Sequence, residues 1–165
     1  MHWYVIHTKP RQEQRALLNL EQQGYECFLP LLSIEKFRQN SLSLIEEPLF
    51  PRYLFIRLDA SKSGQSWAPI RSTLGVSRLV TFGSDPAKVH ADLINTLRMQ
   101  NNQLQQTPQR MFNEHDRVQI RSGPFAGLEA IYQMPDGESR AMVLIQFLSK
   151  PIRLAVAPAN LLKVG

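Results

Sequence analysis

From Tyr53 to Leu58 the side chains alternate: Leu54, Ile56 and Leu58 fall on one face of a strand, and Tyr53, Phe55 and Arg57 on the other. One face must join a core. The other carries two large aromatics that also need a cover. Upstream, WYVIHT (3–8) is aromatic and β-branched and predicts another strand. PRQEQRALLNLEQQGY (10–25) predicts a helix, with Pro10 in its first turn and Gly24 at its stop. Ala16, Leu17 and Leu20 form its apolar stripe, while Arg11, Arg15, Asn19 and Gln22 lie on another face. Residues 27–37 and 42–48 read as extended segments around the polar turn RQNS. Residues 59–73 read as a loop with Trp67 conspicuous in it. Residues 76–83 read as a strand and 89–100 as a helix, with Leu93, Ile94, Leu97 and Arg98 at helical spacing. Strand, helix, several strands and helix, in that order, predict an α+β fold: an antiparallel sheet covered by helices.

The polar, Gln/Asn-rich stretch from 101 predicts a linker, and three segments result: a domain over 1–100, a linker over 101–112 and a second domain over 113–165. The last segment carries two incompatible patterns. Val118 and Ile120 alternate with polar residues, and SGPFAG and PDGES are turn signals, as in a small β-barrel. Yet Ala141, Leu144, Ile145, Leu148, Ile152 and Ala155 follow one helical stripe, and LEAIYQM (128–134) holds good helix formers. PDG would then join two antiparallel helices. Pro124 and Pro151 oppose the helical form, because a proline inside a helix removes a hydrogen bond at a cost of about 3 kcal/mol.

Charge and chemistry narrow the function classes. Of 165 residues, 43% are hydrophobic and 20% charged, an ordinary globular balance, and the formal net charge of +5 suits a polyanionic partner. Cys27 is the single cysteine, which fits a reducing compartment and a packed small side chain. No apolar run reaches membrane-spanning length, so a cytoplasmic, membrane-free protein is expected. His2, His7, His90 and His115 have no metal-ligand spacing, SGPFAG lacks the lysine of a phosphate-binding loop, and no nucleophile elbow is present. The expectation is a protein that is not an enzyme and uses neither metal nor cofactor.

PLFPRYLFIRL (48–58), GVSRLVTFG (75–83) and DRVQIRSGPFAGLEA (116–130) carry a family likeness. The chain resembles NusG-type transcription elongation factors. Its first part is similar to their NGN domain, an α/β sandwich, and its second to their KOW domain. LSIEKF, IEEPLFPRYLF and PDGESRAMVLIQFLSKPIRLAV are most similar to the specialised RfaH-type branch.

This resemblance implies an operon-specific antitermination factor, expected to be a monomer. Phe50, Pro51, Tyr53, Phe55, Ile94 and Leu97 would form the patch that docks on the clamp helices of the largest RNA polymerase subunit. Lys9, Arg11, Arg15, Asn19, Gln22, Gln23 and Thr73 would contact single-stranded non-template DNA, with bases packing on Trp3 or His7. The C-terminal KOW segment would be an α-helical hairpin on the polymerase patch when autoinhibited, latched by Glu47 and Arg140. Released, it would be a five-stranded β-barrel offering Phe147 and Leu148 to a small-subunit ribosomal protein. Ser66, Trp67 and Ala68 stand where the branch has a His-Thr-Thr stretch thought to touch the polymerase gate loop, so the resemblance does not extend to that contact. Two alternatives remain open: a general elongation factor with a permanent KOW barrel, and an RNA-binding KOW module. The second is disfavoured because residues 110–165 hold seven Lys/Arg against five Asp/Glu, a weak field for RNA.

Overall fold

A computed structural model of the chain describes residues 1–59, 67–106 and 129–149. Its elements in chain order are β1 (His2–Thr8), α1 (Glu13–Gln22), β2 (Glu26–Phe28), β3 (Leu31–Arg38), β4 (Ser41–Pro48), β5 (Tyr53–Leu58), α2 (Ala68–Arg71), β6 (Val76–Leu79), β7 (Thr81–Phe82), β8 (Asp85–Pro86), β9 (Lys88–Val89), α3 (Ala91–Gln106), α4 (Glu129–Tyr132) and α5 (Gly137–Leu148).

The main sheet runs β2-β5-β1-β6, with β9 also on β1, and its pairings are antiparallel. Trp3, Tyr4, Val5 and Ile6 of β1 are all buried, because this central strand is covered on both faces. Trp3, Val5 and Phe55 point to one face, where α3 packs through Leu93, Ile94 and Leu97. Tyr4, Ile6, Leu54, Ile56 and Leu58 point to the other, where α1 packs through Ala16 and Leu20 and α2 through Ile70. The alternation along β5 therefore separates two cores, as its period requires. β3 and β4 form a separate hairpin, and β7 and β8 a second short one.

Helix α1 stops as its sequence predicts. Gly24 takes φ +93°, its N–H donates to the Glu21 carbonyl at 3.0 Å, and the Tyr25 N–H donates to the Leu20 carbonyl at 3.2 Å. This is a Schellman closure, and the flanking Leu20 and Tyr25 share the core beneath it. Its start differs from expectation. The helix begins at Glu13 rather than Pro10, because Arg11 turns left-handed at φ +62°. Two further boundaries move. The stretch around Trp67 contains the short helix α2, and α3 runs to Gln106, six residues into the stretch read as linker. Gln and Asn weaken a helix without ending it. Val118 and Ile120 of the barrel expectation, Ile152 and Ala155 of the helical stripe, and the opposing Pro124 and Pro151 lie outside the described residues.

Candidate functional site

Two surfaces carry the site residues, and they lie on opposite faces of the main sheet. The first is apolar. Phe50, Phe55, Ile94 and Leu97 are buried in one cluster, with Tyr53 packed at its margin. The Phe50 and Phe55 rings meet edge to face at 6.4 Å, and Phe28 stacks on Phe55 at 6.2 Å. Helices α4 and α5 complete the cluster with Ile131, Tyr132, Ala141, Leu144 and Leu148. The C-terminal segment, over its described part, thus lies as a helix pair against the aromatic face of β5. Phe147 and Leu148 take part in this packing, Leu148 fully and Phe147 partly buried. An open groove of about 280 Å³ follows the seam, lined by Tyr53, Ala141, Met142, Ile145 and Gln146.

One buried cation crosses this contact. Arg140 is 1% exposed. Its Nε donates to the Leu49 carbonyl at 2.7 Å, one terminal nitrogen to the Met134 carbonyl at 2.7 Å, and the other to the Glu47 carboxylate at 2.8 Å. The guanidinium fork is matched by one charge and two carbonyls, so each of its three nitrogens has a partner within the protein. The helix that delivers it is capped by Asp136, whose carboxylate accepts from the Glu138 N–H and the Ser139 hydroxyl. These bonds, the serine hydroxyl's first, hold the Asp136 carboxyl below the usual aspartate range. Beside the cap, Gly137 approaches the Pro51 ring so closely that an added Cβ would lie 2.6 Å from its Cγ. Sequence reasoning read Asp136 and Gly137 as part of the PDG turn between two helices but missed the cap and the close approach, although an Asp at the start of a helical stripe is a capping signal.

The second surface is polar and lies over α1. Lys9, Arg11, Arg15 and Gln22 are exposed there, and Asn19 is half-buried. The Asn19 amide donates to the Arg15 carbonyl at 2.7 Å. The Gln23 amide donates to the Asn19 carbonyl at 3.0 Å and to the Thr73 hydroxyl at 2.8 Å.

Two residues expected on this surface are placed otherwise. Thr73 is buried, and its hydroxyl donates to the Pro69 carbonyl while accepting from Gln23. It positions Gln23 and offers no group to a ligand. Trp3 is 6% exposed in the core on the other face of the sheet, with the Arg98 guanidinium 5.2 Å above its ring, so no base can stack on it. His7 is half-buried and its ring leans on Tyr53 at 5.1 Å. Trp67 packs edge-on against Tyr4 at 5.0 Å, and its indole N–H donates to the Asp59 carbonyl. Ala68 is exposed at the start of α2, and Ser66 lies outside the described residues.

Burial, with Glu21 and Glu26 nearby, pushes the Cys27 thiol up to about 12, far from the thiolate a nucleophile needs. Among the described residues, no three His, Cys, Asp or Glu groups gather as a metal site. No helix among them is long and apolar enough to cross a membrane.

The chain is similar to known proteins of one family. A family model described as "Transcription termination factor nusG" matches residues 1–98. A transcription termination/antitermination protein NusG from Thermus thermophilus is 27% identical, over 92% of this chain and 94% of its own length. Proteins of the same description from Helicobacter pylori and Campylobacter jejuni are each 29% identical, covering 87% and 92% of this chain. A solved structure described as "Domain interaction in Thermotoga maritima NusG" aligns with a TM-score of 0.45 and 21% identity, over 75% of this chain and 74% of its own. With its main sheet and more than half of its length inside the matched region, the chain belongs to the NusG family.

Proposed function

We propose that the protein is an RfaH-type transcription antitermination factor held in an autoinhibited form by its own C-terminal helices. The relatives' printed role in termination and antitermination supports the transcriptional part, and makes an enzyme the weaker reading. In this reading Phe50, Pro51, Tyr53, Phe55, Ile94 and Leu97 dock on the clamp helices of RNA polymerase. Helices α4 and α5 occupy that place until they are released. Lys9, Arg11, Arg15, Asn19, Gln22 and Gln23 hold the displaced non-template strand. Cations neutralise its phosphates and amides meet base edges. The factor then suppresses pausing, and its freed C-terminal domain refolds as a KOW barrel that recruits a ribosomal protein through Phe147 and Leu148. It works in the cytoplasm as a monomer.

The observation that carries the proposal is the helix pair on the aromatic face of β5, pinned by Arg140. A general elongation factor with a permanent barrel has no use for an arginine so deeply buried against Glu47 and Leu49. Apolar burial at the seam contributes about 25 cal/mol per Å² removed from water, so a competitor with a larger apolar face displaces the hairpin.

The test is an NMR secondary-shift profile of residues 110–165 in the intact protein and in Glu47→Ala, alongside polymerase binding. Helical shifts in the intact chain that turn to strand shifts in the variant, with tighter polymerase binding, are the expected result. Strand shifts in both forms would leave the general elongation factor as the reading.

A further inference from the structure

We infer that His7, Arg52 and Arg78 form a phosphate-binding corner that carries the non-template strand from α1 round the end of β1 toward the polymerase-docking face. This rests on the DNA-binding reading above and adds two cations to it. Three strands of the fold meet at this corner. His7 pairs with Tyr53 on one side and with Arg78 on the other. Arg52 is bound to the same end of β1: the Thr8 N–H donates to its carbonyl at 2.8 Å, and its own Nε donates to the Thr8 carbonyl at 3.3 Å. Lys9 is tied in as well, its N–H donating to the Gly75 carbonyl at 2.9 Å. Two arginines and an imidazole therefore share the exit of one strand, with Lys9 and Arg11 following in the chain just beyond it.

The corner's two arginine side chains are not balanced by ion pairs. Among the described residues no carboxylate lies within ion-pair distance of Arg52 or Arg78. The nearest bound carboxylate, Glu13, accepts from the Arg52 backbone N–H at 2.9 Å. The His7 Nδ1 is buried without a hydrogen-bond partner. Desolvation, then Arg52 and Arg78, hold the imidazole below the usual histidine range. The backbone is strained in the same place, with Arg11 at φ +62° and Arg52 at φ +72°, values at which a non-glycine residue is uncommon. A chain that keeps arginine on two such turns, with like charges gathered and unpaired, is arranged for an absent anion. Fixing the Arg52 guanidinium through Nε leaves its terminal nitrogens as a preset fork, the geometry that suits phosphate oxygens. Continuity with Lys9 and Arg11 selects a nucleic-acid backbone over a free anion. The position at the margin of the Tyr53 face sets the path of the strand.

The experiment measures affinity of the full chain for a labelled single-stranded DNA oligonucleotide against salt. Variants are Arg52→Gln/Arg78→Gln, Arg52→Lys/Arg78→Lys and, as a control on the DNA reading itself, Lys9→Gln/Arg15→Gln. Each single-strand phosphate neutralised contributes about 0.7 to the slope of log K on log salt, so the glutamine pair should lower the slope by about 1.4. The lysine pair should keep it. In the unaltered protein, His7 should titrate higher with DNA bound than without, followed by its imidazole NMR signals. That readout does not depend on any variant folding. An unchanged slope with an unmoved His7 overturns the corner. If the control alone lowers the slope, the DNA reading survives and the corner falls. If no variant lowers it, the DNA reading falls too.

Discussion

At Gly137 one hydrogen separates two states of the contact. A methyl group there would press on the Pro51 ring, so Gly137→Ala should loosen the hairpin while leaving every docking residue in the sequence unchanged. Trypsin sensitivity of residues 129–149 should rise in that variant. Arg140 makes a stronger statement. Arg140→Ala leaves two carbonyls and a carboxylate unmatched, and Glu47→Ala leaves one guanidinium edge unmatched. Unsatisfied buried groups cost about 1–3 kcal/mol each, so Arg140→Ala should weaken the closed form more, by about 2 kcal/mol or above. Glu47 is 30% exposed and regains water when alone, which limits its side of the loss. Hydrogen exchange of the α5 amides would rank the two variants. The face assignments of Tyr53 and Phe55 were legible in the sequence, because alternation has only two phases. The burial of Thr73 and Trp3 was not. Both depend on which residues cross the sheet from elsewhere, and a polar hydroxyl or an indole gives no sign of that locally.

Single elements were legible to the degree that their ends were encoded. α1 stops at Gly24 because a left-handed residue is needed there, and glycine announces it. Its start is set by the turn at Arg11 and by Glu13 reaching the Arg52 N–H, contacts from distant chain that Pro10 could not signal. α3 outran its expected end because Gln and Asn break nothing. The same helix depends on Arg98, which lies 5.2 Å from both the Trp3 and Phe28 rings and 3.6 Å from Glu26. Arg98→Met should keep the stem's packing and lose the cation–π contacts, lowering stability by about 1 kcal/mol, as urea unfolding would report. The α5 cap gives a pH dependence. The Asp136 carboxyl is depressed in the folded form, so its stabilisation is complete above the ordinary aspartate pKa. It fades as pH falls through the lower folded value. The circular dichroism of Asp136→Asn should therefore lose the acid-side step that the unaltered protein shows below the usual aspartate range.

Across the whole molecule, the decisive relation is that one surface is covered while the other stays open. The hairpin occupies the face with Trp3, Val5 and Phe55, whereas α1 presents Arg15, and the turn before it Lys9 and Arg11, beyond the opposite core. A ligand of α1 therefore meets the same surface in the closed and open forms, but a ligand of the Tyr53 face must wait for release. When the competent state is a minor fraction, apparent affinity falls by that fraction. If Arg140→Ala removes about 2 kcal/mol from the closed form, the open population and the apparent affinity for polymerase should rise about 30-fold, up to the point where the open form dominates. Affinity for single-stranded DNA should stay within about twofold, since the coupling acts only on the covered face. Phe55 is too deeply packed to report on docking, so the companion variant is Tyr53→Ser at the margin. It should lower polymerase affinity in the Arg140→Ala background as well, because the lost ring belongs to the docking face and not to the latch. A parallel change in both affinities on removing Arg140 would mean that the two faces are not independent, and that release of the hairpin reshapes the sheet itself.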